Sequence, residues 1–328
     1  MENMAADTTT IVVFGEALVD DFLSEQVVGG APFNVARHLA AFGAAPLTIT
    51  RIGADANGAT VRAEFARFGM RDDGVQVDAA APTGRVIVER SGATHRFIIL
   101  PDQAYDHIDA GAALAAMARC APATLYFGTL AQRAGASRDA LAQLLAATSA
   151  RRFLDLNMRE GQVTERCVFA SLHHADIVKV NEDELRELLN WYTPAHGDTL
   201  PYPVGMSMDM SDAQVHAACA TLIGAFGLTG LIVTLGERGA VLFGAHRPPL
   251  HAGPGLDERA VDAVDIVDTV GAGDAFSAIF LLGRSRGWPL DTTLSRANQF
   301  AAAICGVAGA VPADTAFYAS WIDRWLAD

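Results

Sequence analysis

Short runs of β-branched and aromatic residues recur along the chain and alternate with segments that have the period of amphipathic helices. Six runs predict buried strands, at 11–15, 47–52, 124–128, 152–157, 176–180 and 231–236. Amphipathic segments at 61–69, 137–147 and 182–189 predict helices between them. Because the strands are apolar almost throughout, both faces of their sheet should be covered. The pattern therefore predicts an α/β fold with a mostly parallel central sheet and helices on both faces.

Two stretches depart from this alternation. Residues 85–100 read as two strands around a Ser-Gly turn, and with the extended stretch 20–28 they predict a small separate sheet. Residues 191–212 are rich in Pro, Gly and Met without a clear period, which indicates a long surface excursion. A chain of 328 residues is long enough for one large α/β domain or for two ordinary ones.

The composition excludes several classes of partner. The 38 acidic residues outnumber the 24 basic ones, and the formal net charge is −14. This argues against a nucleic-acid or anionic-membrane surface, because such surfaces need a basic face. The four cysteines form no CxxC pair, which favours free thiols in a reducing compartment. With no signal peptide and no apolar run that could span a bilayer, we expect a soluble cytoplasmic protein.

The stretch DTVGAGDAF, at 268–276, places a carboxylate where a glycine turn opens a predicted helix. Gly271 and Gly273 permit a tight turn and leave backbone N–H groups uncovered. A helix N-terminus of this kind attracts anions, and a phosphoryl group in transit is such an anion. Asp274 at its rim could accept a proton from an attacking hydroxyl. The alternative is a plain glycine turn with Asp274 as a helix cap.

A second glycine turn precedes a predicted helix at 27–43. Gly29 and Gly30 allow close backbone approach, and Asn34 falls in the first helical turn, where its amide could hold a ligand hydroxyl. Just upstream, the stretch GEALVD ends in Asp20. A carboxylate and an amide at the carboxyl ends of strands are typical of a polyol-binding pair. Asn34 could equally satisfy a local backbone group.

Two further turns follow predicted strands in the second half of the chain. In VKVNEDELRELL, Asn181 and Glu184 have the spacing of a helix-capping box, and also that of groups serving a hydrated Mg²⁺. In TLGERGAVLF, Gly236 and Gly239 form a tight turn between two strands. A nucleotide phosphate could bind at this turn, or the turn could have no ligand. The chain contains no Walker A sequence, and no dinucleotide fingerprint follows its first strand.

The chain resembles the ribokinase-like (PfkB-type) carbohydrate kinases in four motifs that occur in this order: GGAPFNVA, VNEDE, TLGERGA and DTVGAGDAF. The resemblance covers nearly the whole chain, from GEALVD to GAVP at 309–312. The resemblance implies a ribokinase-like fold in one domain over 1–328, with a small β-sheet lid at about 20–30 and 84–101. It implies ATP-dependent phosphorylation of a sugar, with Mg²⁺. Lids of this type often pair between subunits, so a homodimer is a further expectation.

The resemblance also implies roles for individual residues. Asp274 would be the catalytic base, and the amides of Gly271, Ala272 and Gly273 would form the anion hole. The other implied positions are Asp20, Gly29, Gly30, Asn34, Arg159 and Asp274 for the sugar; Asn181, Thr234, Gly236, Gly239, Gly271, Gly273 and Asn298 for the nucleotide; Glu184 for water-mediated Mg²⁺; and Asp268, Val270 and Gly309 for the K⁺ that some members use.

The acceptor is suggested by GEALVD, GGAPFNVARHLAAFG and DLNMRE at 155–160, which look most like the fructokinase branch, where a D-x-N-x-R stretch is usual. Arg159 in that stretch could reach a phosphate or the sugar, although polar residues also end many strands. Phe33 stands where the branch commonly has a small residue. The alternatives are a 2-keto-3-deoxygluconate kinase, another PfkB-type sugar or nucleoside kinase, and a non-catalytic sugar-binding regulator.

Overall fold

The computed structural model of the protein describes residues 10–22, 25–91, 94–193, 202–203, 205, 207–253 and 266–326, with backbone alone at 89–91 and 94–96. The chain divides into two compact units. The first comprises Met1–Tyr126, Ala134–Arg151 and Pro312–Asp328, and the second comprises Phe127–Arg133 and Arg152–Val311.

The secondary structure of the described residues alternates between strands and helices along most of the chain. The strands are β1 (Thr10–Phe14), β2 (Leu18–Asp21), β3 (Gln26–Gly29), β4 (Leu47–Gly53), β5 (Val75–Asp78), β6 (Gly84–Ser91), β7 (Thr94–Ile99), β8 (Pro122–Phe127), β9 (Arg151–Asp155), β10 (Ile177–Asn181), β11 (Gly230–Thr234), β12 (Ala240–Gly244) and β13 (Arg247–Ala252). The helices are α1 (Ala31–Ala41), α2 (Ala56–Arg67), α3 (Ala110–Met117), α4 (Gly135–Ala146), α5 (Glu165–His174), α6 (Glu182–Tyr192), α7 (Ala213–Phe226), α8 (Ala272–Ser285), α9 (Leu290–Ile304) and α10 (Ala319–Leu326).

The first unit contains two groups of paired strands. Strands β8, β1, β4 and β5 lie side by side in that order, and β4 pairs parallel with both β1 and β5. A separate four-stranded sheet has the order β3-β2-β6-β7. Within it, the hairpin of β6 and β7 is antiparallel, and β2 pairs antiparallel with β3 and parallel with β6. The predicted hairpin and the predicted small sheet are thus confirmed.

The second unit is built on strands in the order β13-β12-β11-β10-β9. Strand β10 pairs parallel with β9 and β11, whereas β12 and β13 continue antiparallel. The registers place Lys179 opposite Asp155 and Asn181 opposite Thr234. Residues that are far apart in the sequence thereby become neighbours at the carboxyl ends of these parallel strands.

All six strands predicted from apolar runs are present, each within two residues of the predicted ends. The three predicted helices coincide with α2, α4 and α6, although the first prediction runs two residues past the end of α2 and the second runs one residue past the end of α4. Of the 191–212 stretch, residues 194–201, 204 and 206 lie outside the described residues. In its described part, Met208 and Met210 are buried, so the predicted surface excursion is wrong for these two residues. The four cysteines are free thiols. Within the described ranges, we find no helix with the length and apolarity needed to cross a membrane.

Local chemistry fixes where several of these helices begin and end. The Asp55 carboxylate accepts a hydrogen bond from the Gly58 N–H at 2.8 Å and caps α2, and the Thr164 hydroxyl caps α5 in the same way. Helix α7 ends at Gly227, whose φ of 66° is the left-handed conformation common after a helix. These are short-range signals, which the sequence alone carries.

Candidate active site

Helix α8 begins at the glycine turn of the GAGD stretch, as the sequence predicts. Gly271 is its N-cap, with φ 78° and ψ −4°, a left-handed conformation that glycine adopts without strain. A Cβ placed on Gly271 would lie 2.3 Å from the Cβ of Ala310, so no side chain fits there. Within the described part of the chain, no side chain caps this end of the helix. The Ala272 N–H makes a long contact with the Thr269 carbonyl at 3.4 Å, and no side chain of the described residues covers the N–H groups at this end of the 14-residue helix, where an anion is favoured.

Asp274 lies in the first turn of α8 and is partly buried. The side chain of Lys179, from β10, reaches the same turn: a Cβ placed on Gly273 would lie 3.4 Å from the Lys179 Nζ. The ammonium of Lys179 attracts the Asp274 carboxylate electrostatically. A carboxylate, a cationic group and helix N–H groups thus meet at one helix end.

Lys179 is held by a buried polar network. Its ammonium donates to both carboxylate oxygens of Asp155, at 2.8 and 2.9 Å, and the Ser277 hydroxyl donates to one of these oxygens at 2.7 Å. All three side chains are buried. Burial alone would lower the pKa of Lys179, but the attraction and hydrogen bonds of Asp155, together with the attraction of Glu184 and Asp274, raise the pKa above its usual value. Lys179 is therefore charged at neutral pH.

Asn181 and Glu184 form the capping box that their spacing predicts. The Asn181 side chain accepts from the Glu184 N–H, and the Glu184 carboxylate accepts from the Asn181 N–H, both at 2.9 Å. The second oxygen of Glu184 accepts from the Met158 N–H at 2.7 Å. Burial raises the pKa of Glu184, although these N–H groups and Lys179 oppose the shift. The pair is thus a structural element of α6, whatever else it binds.

We predict that Glu184→Ala lowers the free energy of unfolding by about 2 kcal/mol, because it leaves two backbone N–H groups without their acceptor. Urea unfolding of the variant and the parent protein measures this difference. Glu187→Ala, on the exposed side of the same helix, is the matched control and should change stability little. Equal effects of the two substitutions would contradict a capping role for Glu184.

The two glycines of the turn after β11 have different surroundings. Gly239 has φ 88°, and a Cβ placed on it would lie 2.2 Å from the carbonyl oxygen of Ala252. Gly236 has φ 59° and open space around it. Thr234, at the end of β11, donates its hydroxyl to the Val180 carbonyl at 3.3 Å. The predicted nucleotide residues Asn181 and Thr234 are therefore adjacent on neighbouring strands.

Asn298, on α9, approaches this turn from another element. Its side-chain amide donates to the carbonyls of Ala252 and Gly253, at 3.1 and 3.2 Å. These are the residues that a Cβ on Gly239 would strike. The structure thus brings Asn298 and Gly239 together at the end of β13.

The three residues that the sequence assigns to a monovalent cation lie together in the second unit. One oxygen of the Asp268 carboxylate accepts from the Val270 N–H at 3.0 Å, and the other accepts from the Gly309 N–H at 3.3 Å. Gly309 has a positive φ of 75°. Asp268 therefore joins the segment before α8 to the segment after α9.

The first unit holds the residues predicted to bind the sugar hydroxyls, apart from Arg159 and Asp274. A Cβ placed on Gly29 would lie 2.3 Å from an Asp20 carboxylate oxygen, so this carboxylate lies against the strand end at Gly29. Gly30, with φ 101°, is the N-cap of α1. A Cβ there would lie 2.6 Å from the carbonyl oxygen of Glu16. Asn34 follows in the first turn of α1 and is 5% exposed.

The orientation of Asn34 is set by Arg37, one turn further along α1. The guanidinium of Arg37 donates to the Asn34 carbonyl at 2.6 Å, to the Val28 carbonyl at 2.8 Å and to Glu64 at 2.8 Å. Phe33 lies in a core cluster and stacks on Phe65 at a centroid distance of 4.9 Å. The aromatic ring that departs from the fructokinase pattern is thus a core residue.

Arg159 lies in the turn after β9 with an exposed side chain. Asn157, two residues earlier, has φ 41°, which is unusual for a residue other than glycine. This turn carries the Met158 N–H that Glu184 accepts. The D-x-N-x-R stretch is thereby joined to the start of α6, while the contacts of the Arg159 guanidinium with a ligand stay a prediction.

A family model decides where this chain belongs. The model for pfkB family carbohydrate kinases matches residues 8–316. The chain belongs to this family. The resemblance drawn from the four motifs is thereby confirmed, and the protein is a carbohydrate kinase.

Individual relatives of this carbohydrate kinase agree with the family. Fructokinase-1 of Oryza sativa subsp. japonica is 28% identical over 299 residues, which cover 85% of this chain and 84% of the relative. A fructokinase from Xylella fastidiosa with bound ATP superposes with a TM-score of 0.75 at 20% identity, covering 97% of this chain and 99% of that one. An aminoimidazole riboside kinase from Salmonella enterica, complexed with aminoimidazole riboside and an ATP analogue, gives 0.72 at 23% identity, covering 96% and 100%. These likenesses confirm the ribokinase-like α/β fold.

Two residues of this kinase were missed by the sequence reasoning. Lys179 was read only as part of a buried strand, and its approach to Gly273 requires the pairing of β9 with β10. Arg37 was read only as part of the predicted helix at 27–43, although it is a charged residue among the buried residues of α1. Both are charged residues inside apolar segments, and this is the signal that could have found them.

Proposed function

We propose that this carbohydrate kinase transfers the γ-phosphoryl group of ATP to a hydroxyl of fructose. The observation that carries the proposal is Asp274 in the first turn of α8, next to the glycine turn at the N-terminus of that helix. Asp274 accepts the proton of the attacking hydroxyl, and the amides of 271–273 stabilise the negative charge of the phosphoryl group. Fructose as the acceptor is supported by the D-x-N-x-R stretch and by the rice fructokinase relative.

The nucleotide is assigned to the other glycine turn and its neighbours, Asn181, Thr234, Gly236, Gly239 and Asn298. Two observations support this assignment. The close approach of the Ala252 carbonyl admits only glycine at Gly239, which keeps the turn narrow, and Gly236 has open space on its side-chain face. Backbone N–H groups in such a turn suit phosphate oxygens.

Mg²⁺ accompanies the ATP in this proposal, with Glu184 as its water-mediated partner. Each Glu184 oxygen accepts one backbone N–H, and a carboxylate offers about four lone-pair sites, so acceptor capacity remains for a water ligand. In the described ranges, no three His, Cys, Asp or Glu residues gather at a metal site. A Mg²⁺ ion that is bound mainly by substrate phosphates and water needs few protein ligands, and it neutralises phosphate charge.

A K⁺ ion is proposed at Asp268, Val270 and Gly309, supported by the hydrogen bonds that join these three residues. The sugar is assigned to Asp20, Gly29, Gly30, Asn34 and Arg159. The four-stranded sheet is proposed to act as a lid, and its pairing in a homodimer stays a prediction.

The experiment that tests the proposal is an ADP-release assay with Mg²⁺·ATP and a panel of acceptors, each with and without K⁺. The panel contains fructose, ribose, 2-keto-3-deoxygluconate, tagatose, glucose and adenosine. We expect fructose to give the highest kcat/KM, and K⁺ to raise it.

The other outcomes separate the alternatives. A higher kcat/KM with 2-keto-3-deoxygluconate, ribose or adenosine would change the assigned acceptor. It would leave unchanged the roles of Asp274 and of the turn at Gly236 and Gly239. Absence of acceptor-dependent ADP release across the panel, with ATP binding retained, would favour a sugar-binding regulator or an acceptor outside the panel.

A further inference from the structure

The ammonium of Lys179 is a buried charge to which the proposed transfer assigns no role. Lys179 is 6% exposed, and two of its three N–H groups go to Asp155. Its third N–H finds no acceptor among the residues that the structure describes. The 3.4 Å separation between its Nζ and a Cβ placed on Gly273 shows which way the ammonium faces. It faces the first turn of α8, at the helix end that has no capping side chain within the described chain.

The charges around this ammonium are unfavourable for a phosphate. Lys179 interacts electrostatically with three carboxylates, those of Asp155 on β9, Glu184 on α6 and Asp274 on α8. One ammonium therefore faces three carboxylates. An ATP phosphate that arrives at the glycine turn is repelled by the half-buried Asp274 of that turn and by the buried Glu184, whose charge also acts on Lys179. A fixed positive charge beside the turn offsets this repulsion.

Stability alone does not account for the buried pair. Two charges lose much of their hydration on burial, and an apolar pair of similar volume is often as stable or more so. The Lys179–Asp155 pair nevertheless lies beside Gly273, with Ser277 adding a third contact to the Asp155 carboxylate. The network fixes the ammonium in one place, which a flexible surface lysine cannot achieve.

We propose that Lys179 is a positioning residue for the transferred phosphoryl group, held against Gly273 by Asp155 and Ser277. Its charge offsets Asp274 and Glu184, so that the anionic end of the nucleotide can reach the glycine turn where Asp274 acts as the base. The inference rests on the proposed function, because it takes this turn as the phosphoryl site.

The test compares nucleotides that differ only in phosphate charge. AMP, ADP and ATP are titrated calorimetrically into the protein with Mg²⁺ and without sugar. For Lys179→Met we expect the Kd of ATP to rise at least ~10-fold and that of AMP to change less than ~2-fold, because the lost interaction scales with the phosphate charge near the turn. ADP should lie between them.

Two further variants keep the test decisive. Lys179→Met combined with Asp155→Asn removes the buried carboxylate that the single variant leaves without its cation, so it preserves folding if the single variant unfolds. Ser277→Ala removes one hydrogen bond of the network and no charge. It is expected to raise the Kd of ATP less than Lys179→Met does, because the ammonium keeps its charge and both of its bonds to Asp155.

The outcomes distinguish the inference from the function on which it rests. Equal losses for AMP and ATP, or an unchanged ATP affinity in the double variant, would overturn the role of Lys179. A parent protein that binds ATP no more tightly than AMP would instead contradict the phosphoryl site at α8. Because no sugar is present, an error in the acceptor's identity affects neither comparison.

Discussion

Replacing Asp274 by Asn is expected to lower kcat by about 10²- to 10⁴-fold, the usual contribution of a positioned general base. Asn has nearly the shape of Asp, so the first turn of α8 should keep its structure, but an amide cannot take the hydroxyl's proton. ATP should bind to the variant at least as tightly as to the parent protein, since one negative charge near the phosphates is gone. Steady-state ADP release and calorimetric ATP titration measure the two quantities.

The control for this substitution is Asp291→Asn. Asp291 also lies in the first turn of a helix, α9, and is exposed, with its carboxylate bound to the Thr292 N–H. This change should leave kcat within about two-fold, because only a carboxylate that reaches the reacting hydroxyl can act as the base. Retention of more than a small fraction of kcat in Asp274→Asn would disprove the assignment of the base.

Elements defined by short-range pattern were predictable from the sequence. The six apolar strands, the hairpin of β6 and β7 and the start of α8 all follow from residues that are neighbours in the chain. The capping box at Asn181 is of the same kind, since both partners lie within one helical turn. Such local signals need no knowledge of how the strands pair.

Contacts that depend on strand register were not predictable in this way. Lys179 meets Asp155 because β9 and β10 pair parallel with these residues opposite, 24 positions apart in sequence. A shift by one residue would turn Lys179 to the other face of the sheet, away from Asp155 and Gly273. A single sequence carries the apolar pattern that favours both strands, but their register emerges only from packing of the whole unit.

Glu184 and Asn298, two polar residues near the site, show the same difference between local signals and long-range contacts. Glu184 was predicted either to cap a helix or to serve Mg²⁺. In the structure one carboxylate oxygen caps α6 through the Asn181 N–H and the other accepts the Met158 N–H, and neither oxygen uses all of its lone pairs. The two readings are therefore compatible. Asn298 shows the opposite case, because its amide holds the backbone of 252–253, a contact that no sequence spacing indicates.

The second large effect is expected from Gly271→Ala. Alanine at this position meets two obstacles: a left-handed backbone with φ 78°, and a Cβ that would lie 2.3 Å from the Ala310 Cβ and 2.4 Å from its Cα. The turn must move to relieve the overlap, and the N–H groups of 271–273 move with it. We expect kcat to fall by about 10²-fold or more, the cost of displacing a preorganised anion hole. Stability should fall as well.

Gly287→Ala is the control that separates the effect of the left-handed backbone from that of the overlap with Ala310. Gly287 has nearly the same φ, 72°, but has open space around its Cα. It should therefore lose only the conformational term, about 1–2 kcal/mol of unfolding free energy, and keep its kcat. Gly273→Ala adds a methyl at ordinary contact distance from Lys179 and should have an intermediate effect on kcat. If Gly271→Ala and Gly287→Ala matched in both kcat and stability, close packing against Ala310 would not be what shapes the anion hole.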